Sequence, residues 1–277
     1  MHALVHDRLV APLDAGDHTD GRIGDTVLRI PVVESTNAML IELGRGGATD
    51  GTVLIAADQV GGRGKGERSW FSRRGESLCV SVLLRRSPRR DFGQLTLVAA
   101  VAIHDAVARL GIETSIKWPN DILLGDRKVC GILAEAAASP EGEIEFVVLG
   151  FGLNVSIAAD DFPPALRDIA GSLQQATHRP LGCDSVLDPC LSALSDWIAV
   201  WEEHGFAPVA EAWRRHSSTL GRRVVVADER EQRSGTAVRL AADGALVLRD
   251  DAGREHHIHS GDICNGRAPV GRPGPGE

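Results

Sequence analysis

The 277-residue chain contains no tyrosine, and aromatic residues make up only 4% of it, so its five tryptophans stand out. Five cysteines (Cys79, Cys130, Cys183, Cys190 and Cys264) are scattered without a CxxC pair. That odd set supports neither a structural zinc site nor a disulfide framework, and fits reduced, buried or half-buried thiols of a cytoplasmic protein. No apolar run reaches the ~18 residues that a transmembrane helix needs, so no membrane span is expected. Residues 1–20 carry several acids and no apolar h-region, which argues against a secretory signal. Positive charge is also in deficit: 30 Lys and Arg against 38 Asp and Glu give a formal net charge of −8. A dedicated nucleic-acid binder normally carries a basic stripe, so DNA is not an expected partner. No internal repeat is visible.

What is present is 43% hydrophobic residues, enough for one sizeable core or for a large domain with a small one. Residues 1–24 read as a polar arm, and 268–277 (APVGRPGPGE) as a disordered tail. Between them helices and strands mix. ESTN (34–37) precedes an apolar-periodic run and reads as a helix start, with Gly44 as its stop. TVLIAA (52–57) and LCVSVLL (78–84) read as buried strands. Apolar residues recur at helical spacing from Leu95 to Leu110, and Gly111 ends the run. DILL and VCGILAEAAA flank a turn at Gly125-Asp126-Arg127 and predict a hairpin; a strand follows over 144–155, then helices over 185–203 and 208–216. After Thr219 the pattern becomes short β segments, the signature of a small SH3-type barrel, with the boundary at His216–Leu220.

Several motifs carry polar chemistry. Following a strand, residues 58–70 (DQVGGRGKGERSW) interleave Gly61, Gly62, Gly64 and Gly66 with Arg63, Lys65 and Arg68. Glycine lets backbone N–H groups converge on one concavity and the cations add charge, which suits a phosphate or acyl phosphate. The pattern is neither a Walker A loop nor a dinucleotide fingerprint, and by composition alone a solvated surface loop fits equally well. KWPND (117–121) holds Lys117, Asn120 and Asp121 around a rigid Trp-Pro corner. Taken alone, an ordinary turn with Asn120 bonded to its own backbone explains it. Lys128 is a lone lysine after the hairpin turn, Ser35-Thr36-Asn37 is explained by helix capping, and GFGLN (150–154) reads equally as a strand end with a turn.

Order and spacing give these motifs their meaning. ESTN (34–37), DQ (58–59) with GRGK and RSWFS (62–72), KWPNDILL (117–124), DRKVCGILAE (126–135) and GFGLNV (150–155) resemble the biotin–protein ligase family (holocarboxylase synthetases) over about residues 28–265. The resemblance implies an α+β fold: a mixed sheet flanked by helices, similar to class II aminoacyl-tRNA synthetases, followed by an SH3-like barrel. The implied division is a catalytic domain over 25–217 and a C-terminal domain over 218–267. The implied reaction has two steps. Biotin's carboxylate attacks the α-phosphorus of ATP, giving biotinyl-5′-adenylate and pyrophosphate; a lysine amine of a carrier domain then attacks the mixed anhydride, releasing AMP.

Residue by residue, the resemblance places Ser35, Thr36, Asn37 and Gln59 at the biotin end, where hydroxyl and amide groups suit the ureido ring. Arg63, Gly64 and Lys65 fall on the loop closing over biotin and the α-phosphate, and Gly62 and Arg68 belong to its nucleotide side. Trp70 covers the adenine side. Lys128 contacts biotin's carboxylate and the α-phosphate, stabilising charge in the transition state. Lys117, Asn120 and Asp121 lie at the nucleotide and acceptor-lysine edge, with Asp121 orienting or deprotonating the amine. Gly131 leaves room beside the ligand, and Asn154 is a further nucleotide contact. Mg²⁺ on the ATP phosphates is implied by the chemistry, without a dedicated protein cage. The implied partner is the biotin carboxyl carrier domain of an acetyl-CoA, acyl-CoA or pyruvate carboxylase, with the ligase a monomer or homodimer. Thirty-three residues without a helical pattern precede Glu34, so the monofunctional class lacking a helix-turn-helix is expected.

The loop departs from the family pattern GRGRxGRxW at two positions: Lys65 replaces the second arginine and Glu67 replaces a glycine. Lysine keeps the charge but loses the planar fork, and Glu67 adds negative charge, so these changes bear on the loop's hold on the adenylate. The rival readings are a lipoate or octanoate ligase or transferase, and a module that binds biotin or the carrier without turnover.

Overall fold

A computed structural model of the chain describes residues 22–66, 68–85, 92–227 and 232–264. Most of the expected N-terminal arm, the C-terminal tail and Glu67 lie outside the described residues. Seven strands form one sheet: β1 (Val27–Ile30), β2 (Val53–Ala56), β3 (Ser77–Leu84), β4 (Ser115–Lys117), β5 (Asp121–Leu124), β6 (Arg127–Ala138) and β7 (Ile144–Asn154). Their order is β1-β2-β3-β7-β6-β5-β4. β1 and β2 pair in parallel and every other neighbour is antiparallel, so the sheet is mixed.

The apolar runs of β2 and β3 arise because both faces of the sheet are covered. Alternate β3 residues point opposite ways: Val80, Val82 and Leu84 join the large core, whereas Leu83 joins a smaller cluster with Leu40, Leu54, Phe146 and Val148. Helix α1 (Thr36–Arg45) supplies Leu40 and covers that second face. The large core is closed by α2 (Leu95–Arg109), α3 (Cys183–His204) and α4 (Phe206–Arg215). α2 is buried along most of its length because sheet and helices surround it, and its alanines allow the close approach.

The C-terminal segment forms a separate antiparallel sheet of β8 (Arg223–Ala227), β9 (Gln232–Leu240), β10 (Leu246–Arg249), β11 (Glu255–Ile258) and β12 (Asp262–Cys264). Its order, β11-β10-β9-β8-β12, is a meander whose last strand returns to the first, as an SH3-type barrel requires. The connection from α4 is stitched to β4: Ile116 N donates to His216 O at 2.8 Å and Ser218 N to Ile116 O at 2.9 Å. Trp118 N donates to the Thr219 hydroxyl at 3.0 Å. The small barrel is thereby held against the strand that leads into the Trp118–Pro119 turn.

Some expectations fail locally. Gly44 does not end α1, which continues to Arg45 with Gly46 as its cap. Gly44 is where the helix crosses β7: a Cβ there would lie 2.7 Å from the Phe146 ring. The hairpin turn is Gly125-Asp126 alone, with Gly125 at φ +59, and Arg127 already pairs with Leu124. β1 was not anticipated, because four half-exposed residues with an arginine among them show no apolar run. The segment 255–264 holds two strands rather than one.

Cys79, Cys130, Cys183 and Cys190 are free thiols. Burial pushes Cys79 and Cys183 up to about 11 and Cys190 up to about 12, which keeps them protonated and unreactive. Among the described residues, no helix is long and apolar enough to cross a membrane.

Candidate active site

One large cavity, about 470 Å³, opens where the start of α1, the glycine-rich loop, the Trp118 turn, β6, β7 and β12 meet. That volume is within the ~300–1,000 Å³ of typical ligand sites. Ser35, Thr36, Asn37, Gln59, Arg63, Gly64, Lys65, Arg68, Trp70, Lys117, Asn120, Asp121, Lys128 and Gly131 line it. Two residues expected there, Gly62 and Asn154, do not.

The first end is a largely buried polar network that ends on the Glu135 carboxylate. Ser35 caps α1 through Ala38 N, so capping and site geometry coincide. Thr36 N and the Thr36 hydroxyl both donate to Gln59 Oε1, at 2.8 and 3.1 Å. The Ser81 hydroxyl lies 2.8 Å from Thr36 Oγ1 and 2.6 Å from Asn37 Oδ1. Asn37 Nδ2 donates to Glu135 Oε2 at 2.8 Å and Leu133 O at 3.3 Å. Ser81 and Glu135 were not anticipated. Their signals are faint: a hydroxyl inside the apolar β3 and an acid inside the apolar β6.

The glycine-rich loop folds back on itself as a small hairpin. Arg63 bridges Ser69, Gly64 N donates to Arg68 O at 2.7 Å, and Trp70 N donates to Gly62 O at 2.8 Å. Gly62 is therefore part of the hairpin's base; a Cβ there would sit 2.7 Å from Trp70 O. Arg63 pairs with Glu135 at 2.9 Å, tying the loop to β6.

Gly150 and Gly152 are not a strand-end turn but the middle of β7, where a missing side chain admits a neighbour. A Cβ on Gly152 would fall 2.3 Å from Trp70 Nε1, and one on Gly150 would fall 2.0 Å from Asn37 Oδ1. Gly131, the register partner of Gly152, opens the same strip: a Cβ there would lie 3.0 Å from both the Lys128 stem and the Trp70 ring. The Trp70 indole thus packs against the glycine strip of β6 and β7, with the Lys128 ammonium 5.6 Å from its ring centre.

The KWPND motif is the hairpin turn between β4 and β5, with a cis Trp118–Pro119 peptide and Lys117 paired to Asp121 in register. Asn120 Nδ2 donates to Ile132 O at 2.6 Å, and Ile132 N donates back to Asn120 O at 3.0 Å. The turn is therefore pinned across to β6 rather than closed on itself. Trp118 is buried below it and anchors the corner. Asp121 and Lys128 form an ion pair at 2.5 Å. Asn154 is buried one layer away, and its Nδ2 donates to Gly171 O at 3.0 Å. Gly171 N in turn donates to Lys128 O and Lys128 N to Ile169 O, so Asn154 supports the Lys128 backbone at one remove.

Charge is distributed unevenly. Among the described residues, five cations line the cavity (Arg63, Lys65, Arg68, Lys117, Lys128) against two carboxylates, Asp121 and Asp262. In a chain of net charge −8, that local excess marks a site for an anion. Asp262, on β12, was not foreseen; it pairs with Arg68 at 2.8 Å and brings the small barrel into the cavity wall.

A protein-family model, the biotin/lipoate A/B protein ligase family, matches residues 30–154, and the biotin protein ligase C-terminal domain matches 219–264. The bifunctional ligase/repressor BirA of Bacillus spizizenii is 35% identical over 243 residues, covering 87% of this chain and 74% of that protein. This chain belongs to the biotin protein ligase family. A second member, the biotin–[acetyl-CoA-carboxylase] ligase of Mycobacterium tuberculosis, is 34% identical over 271 residues, covering 94% of this chain and 98% of its own length. Among solved members, the biotin protein ligase of Aquifex aeolicus in complex with biotin and ATP superposes with a TM-score of 0.76 at 27% identity, covering 86% of this chain and 97% of that one. The ligase fold expected from the motifs, a mixed sheet between helices with a terminal β barrel, is the fold observed.

A second polar cluster in this family member lies outside the cavity lining. His104, Asp105 and His216 bring ligand-type atoms within 4.8 Å of one another. The two imidazoles stack, with centroids 4.0 Å apart and planes tilted by 34°. Stacked rings aim their lone pairs side by side, whereas a metal must lie near the plane of each ring it binds. His104 Nδ1 pairs with the Thr114 hydroxyl at 2.9 Å, and Asp105 accepts from Trp197 Nε1 at 2.8 Å. The cluster is a packed joint of α2 with α3 and the end of α4.

Proposed function

We propose that the cavity binds biotin and ATP, and that the chain activates biotin as biotinyl-5′-adenylate before passing it to a carrier lysine. The observation that carries this reading is the cavity's lining, which among the described residues combines a donor–acceptor network of Thr36, Asn37 and Gln59, backed by Ser81, with five cations. A substrate with a urea-like head and a carboxylate tail meets both, and the tail meets the nucleotide's phosphates among the cations. We assign the catalytic domain to 25–217 and the C-terminal domain to 218–267.

Ser35, Thr36, Asn37 and Gln59 hold the ureido ring. In the first step a biotin carboxylate oxygen attacks the α-phosphorus and pyrophosphate leaves. Lys128, Arg63 and Lys65 stabilise the charge that builds on the phosphoryl oxygens. Lys117 and Arg68 attract the polyphosphate, and Trp70 offers its indole to the adenine. In the second step the carrier amine attacks the acyl carbon, AMP leaves, and Asp121 orients the amine or takes its proton. Asn120 holds that corner through β6. Both lining carboxylates already pair with cations, Asp121 with Lys128 and Asp262 with Arg68, so Mg²⁺ arrives on the nucleotide phosphates rather than in a protein cage. The partner is the biotin carboxyl carrier domain of a biotin-dependent carboxylase.

The matching family model spans lipoate as well as biotin ligases, which keeps lipoate or octanoate as the second reading. A dithiolane or alkyl head has no donors or acceptors to offer the network of Thr36, Asn37, Gln59 and Ser81 and would take it out of water without gain, whereas a ureido ring can exchange hydrogen bonds with it, and this favours biotin. The test is to incubate the protein with ATP, a biotin carboxyl carrier domain and each acid in turn. Biotin alone should yield one acylated lysine with AMP and pyrophosphate; acylation by lipoate or octanoate but not biotin overturns the assignment.

A further inference from the structure

We infer that the C-terminal barrel latches the glycine-rich loop closed, with Asp262 on β12 as the positioning residue. The inference rests on the proposed reaction only for its effect on the adenylate; the latch itself stands on contacts within the chain. Among the described residues, side chains attach the loop hairpin on two sides. On one side Arg63 is tied to Glu135 of β6. On the other, Arg68 Nη2 donates to Asp262 Oδ1 at 2.8 Å, and Lys65 Nζ donates to the Gly261 carbonyl at 3.0 Å. Arg68 Nε also donates to Lys65 O at 3.1 Å, so the two basic residues reach β12 as one unit. Lys65 stands at the position where the family pattern has arginine, and here its ammonium spans to the barrel while lying 5.9 Å from the Trp118 ring centre.

The receiving end is built to present these groups. Gly261 has φ +147, and a Cβ there would lie 2.5 Å from Val226 Cγ1 of β8. Only glycine packs so closely on β8, and that packing aims the Gly261 carbonyl and the Asp262 carboxylate at the loop. The barrel is fixed to the catalytic domain by Gln94 Nε2, which donates to Ala242 O at 3.1 Å, and its entry is fixed by Trp118 N to the Thr219 hydroxyl and Ser218 N to Ile116 O. Closure of the loop is thus referred to a rigid neighbour rather than left to the loop. Arg68 and Asp262 are both about half exposed, so their pair shifts the open–closed balance by about two- to fivefold and is screened by salt.

The test compares the full-length protein with Asp262→Ala, Asp262→Asn and Asp262→Glu, each checked for an unchanged melting temperature. Amide hydrogen exchange of residues 62–70 is measured without ligand, at low salt and at about 1 M salt, where the Debye length falls to about 3 Å. Loss of the carboxylate should speed exchange in this loop about two- to fivefold at low salt. Asp262→Glu should restore protection, and high salt should remove most of the difference. Biotinyl-adenylate should dissociate faster from the Ala and Asn variants by a similar factor. Unchanged loop exchange in both variants overturns the latch, and faster exchange with unchanged adenylate retention overturns its effect on the adenylate. If the wild-type protein forms no adenylate from biotin, the proposed function fails, while the exchange arm still decides the latch.

Discussion

Gly152→Ala probes the site with the smallest possible change. The added methyl would sit 2.3 Å from Trp70 Nε1 and Cε2, more than 1 Å inside ordinary carbon contact. β7 cannot retreat, because Gly152 is paired on both sides, with Cys79 of β3 and Gly131 of β6. Trp70 is the group that moves, since its loop is held only at its base and by side-chain pairs. On the proposed assignment, displacing it strips the nucleotide side of its indole face. Stacking of a base on an aromatic ring contributes about 1–3 kcal/mol, which corresponds to about a 5- to 150-fold rise in the KM for ATP. Biotin KM should change far less, because Asn37, Gln59 and Ser81 do not touch the methyl. Trp70→Ala should give a similar rise, and the double variant should be no worse than either single one, since both act on the same contact. Steady-state pyrophosphate exchange reads both constants. An unchanged ATP KM in Gly152→Ala, or additive losses in the double variant, refutes the placement of Trp70.

Lys128→Ala should keep the melting temperature within a few degrees yet lose roughly 10²–10³ in exchange rate, the range for removing a group that stabilises developing charge; near-normal exchange takes Lys128 out of the chemistry. Asn37→Ala leaves the buried Ser81 hydroxyl and Glu135 short of partners, so biotin KM should rise at least tenfold with ATP KM nearly constant, and equal rises in both would contradict the division of the cavity. Burial, reinforced by His216, lowers His104 from 6.5 to about 4. The unfolded chain then binds a proton that the folded chain does not, so stability is full above pH 6.5 and falls as pH drops from about 6.5 to about 4, by about 3 kcal/mol at ~1.4 kcal/mol per pH unit. Urea denaturation across that window should show the slope, His104→Leu should flatten it, and an identical slope in the variant rules out His104 as its source.

The parts of the fold that were readable from sequence are those where local chemistry and tertiary environment agree. The doubly covered β2 and β3 are unbroken apolar runs, and α2 repeats its apolar residues at helical spacing. Failures fall where a residue answers to a distant neighbour. Gly44 looks like a helix stop but makes room for Phe146; Gly150 and Gly152 look like a turn but make room for Asn37 and Trp70. KWPND was readable both as a turn and as a site; it is a turn whose residues line the cavity, with Asn120 bonded across to Ile132 rather than to its own backbone. Asp262 left no local trace, because its partner Arg68 lies 194 residues away in sequence. Asn154 belongs to the family's motif yet supports Lys128 through Gly171 instead of lining the cavity.

The central claim is that this cavity activates biotin as its adenylate. Pyrophosphate-to-ATP exchange, run without carrier protein and with biotin, lipoate or octanoate as the acid, measures that step alone. Exchange that requires biotin and vanishes in Lys128→Ala is the predicted result. Exchange supported only by lipoate or octanoate, or by none of the three, contradicts it.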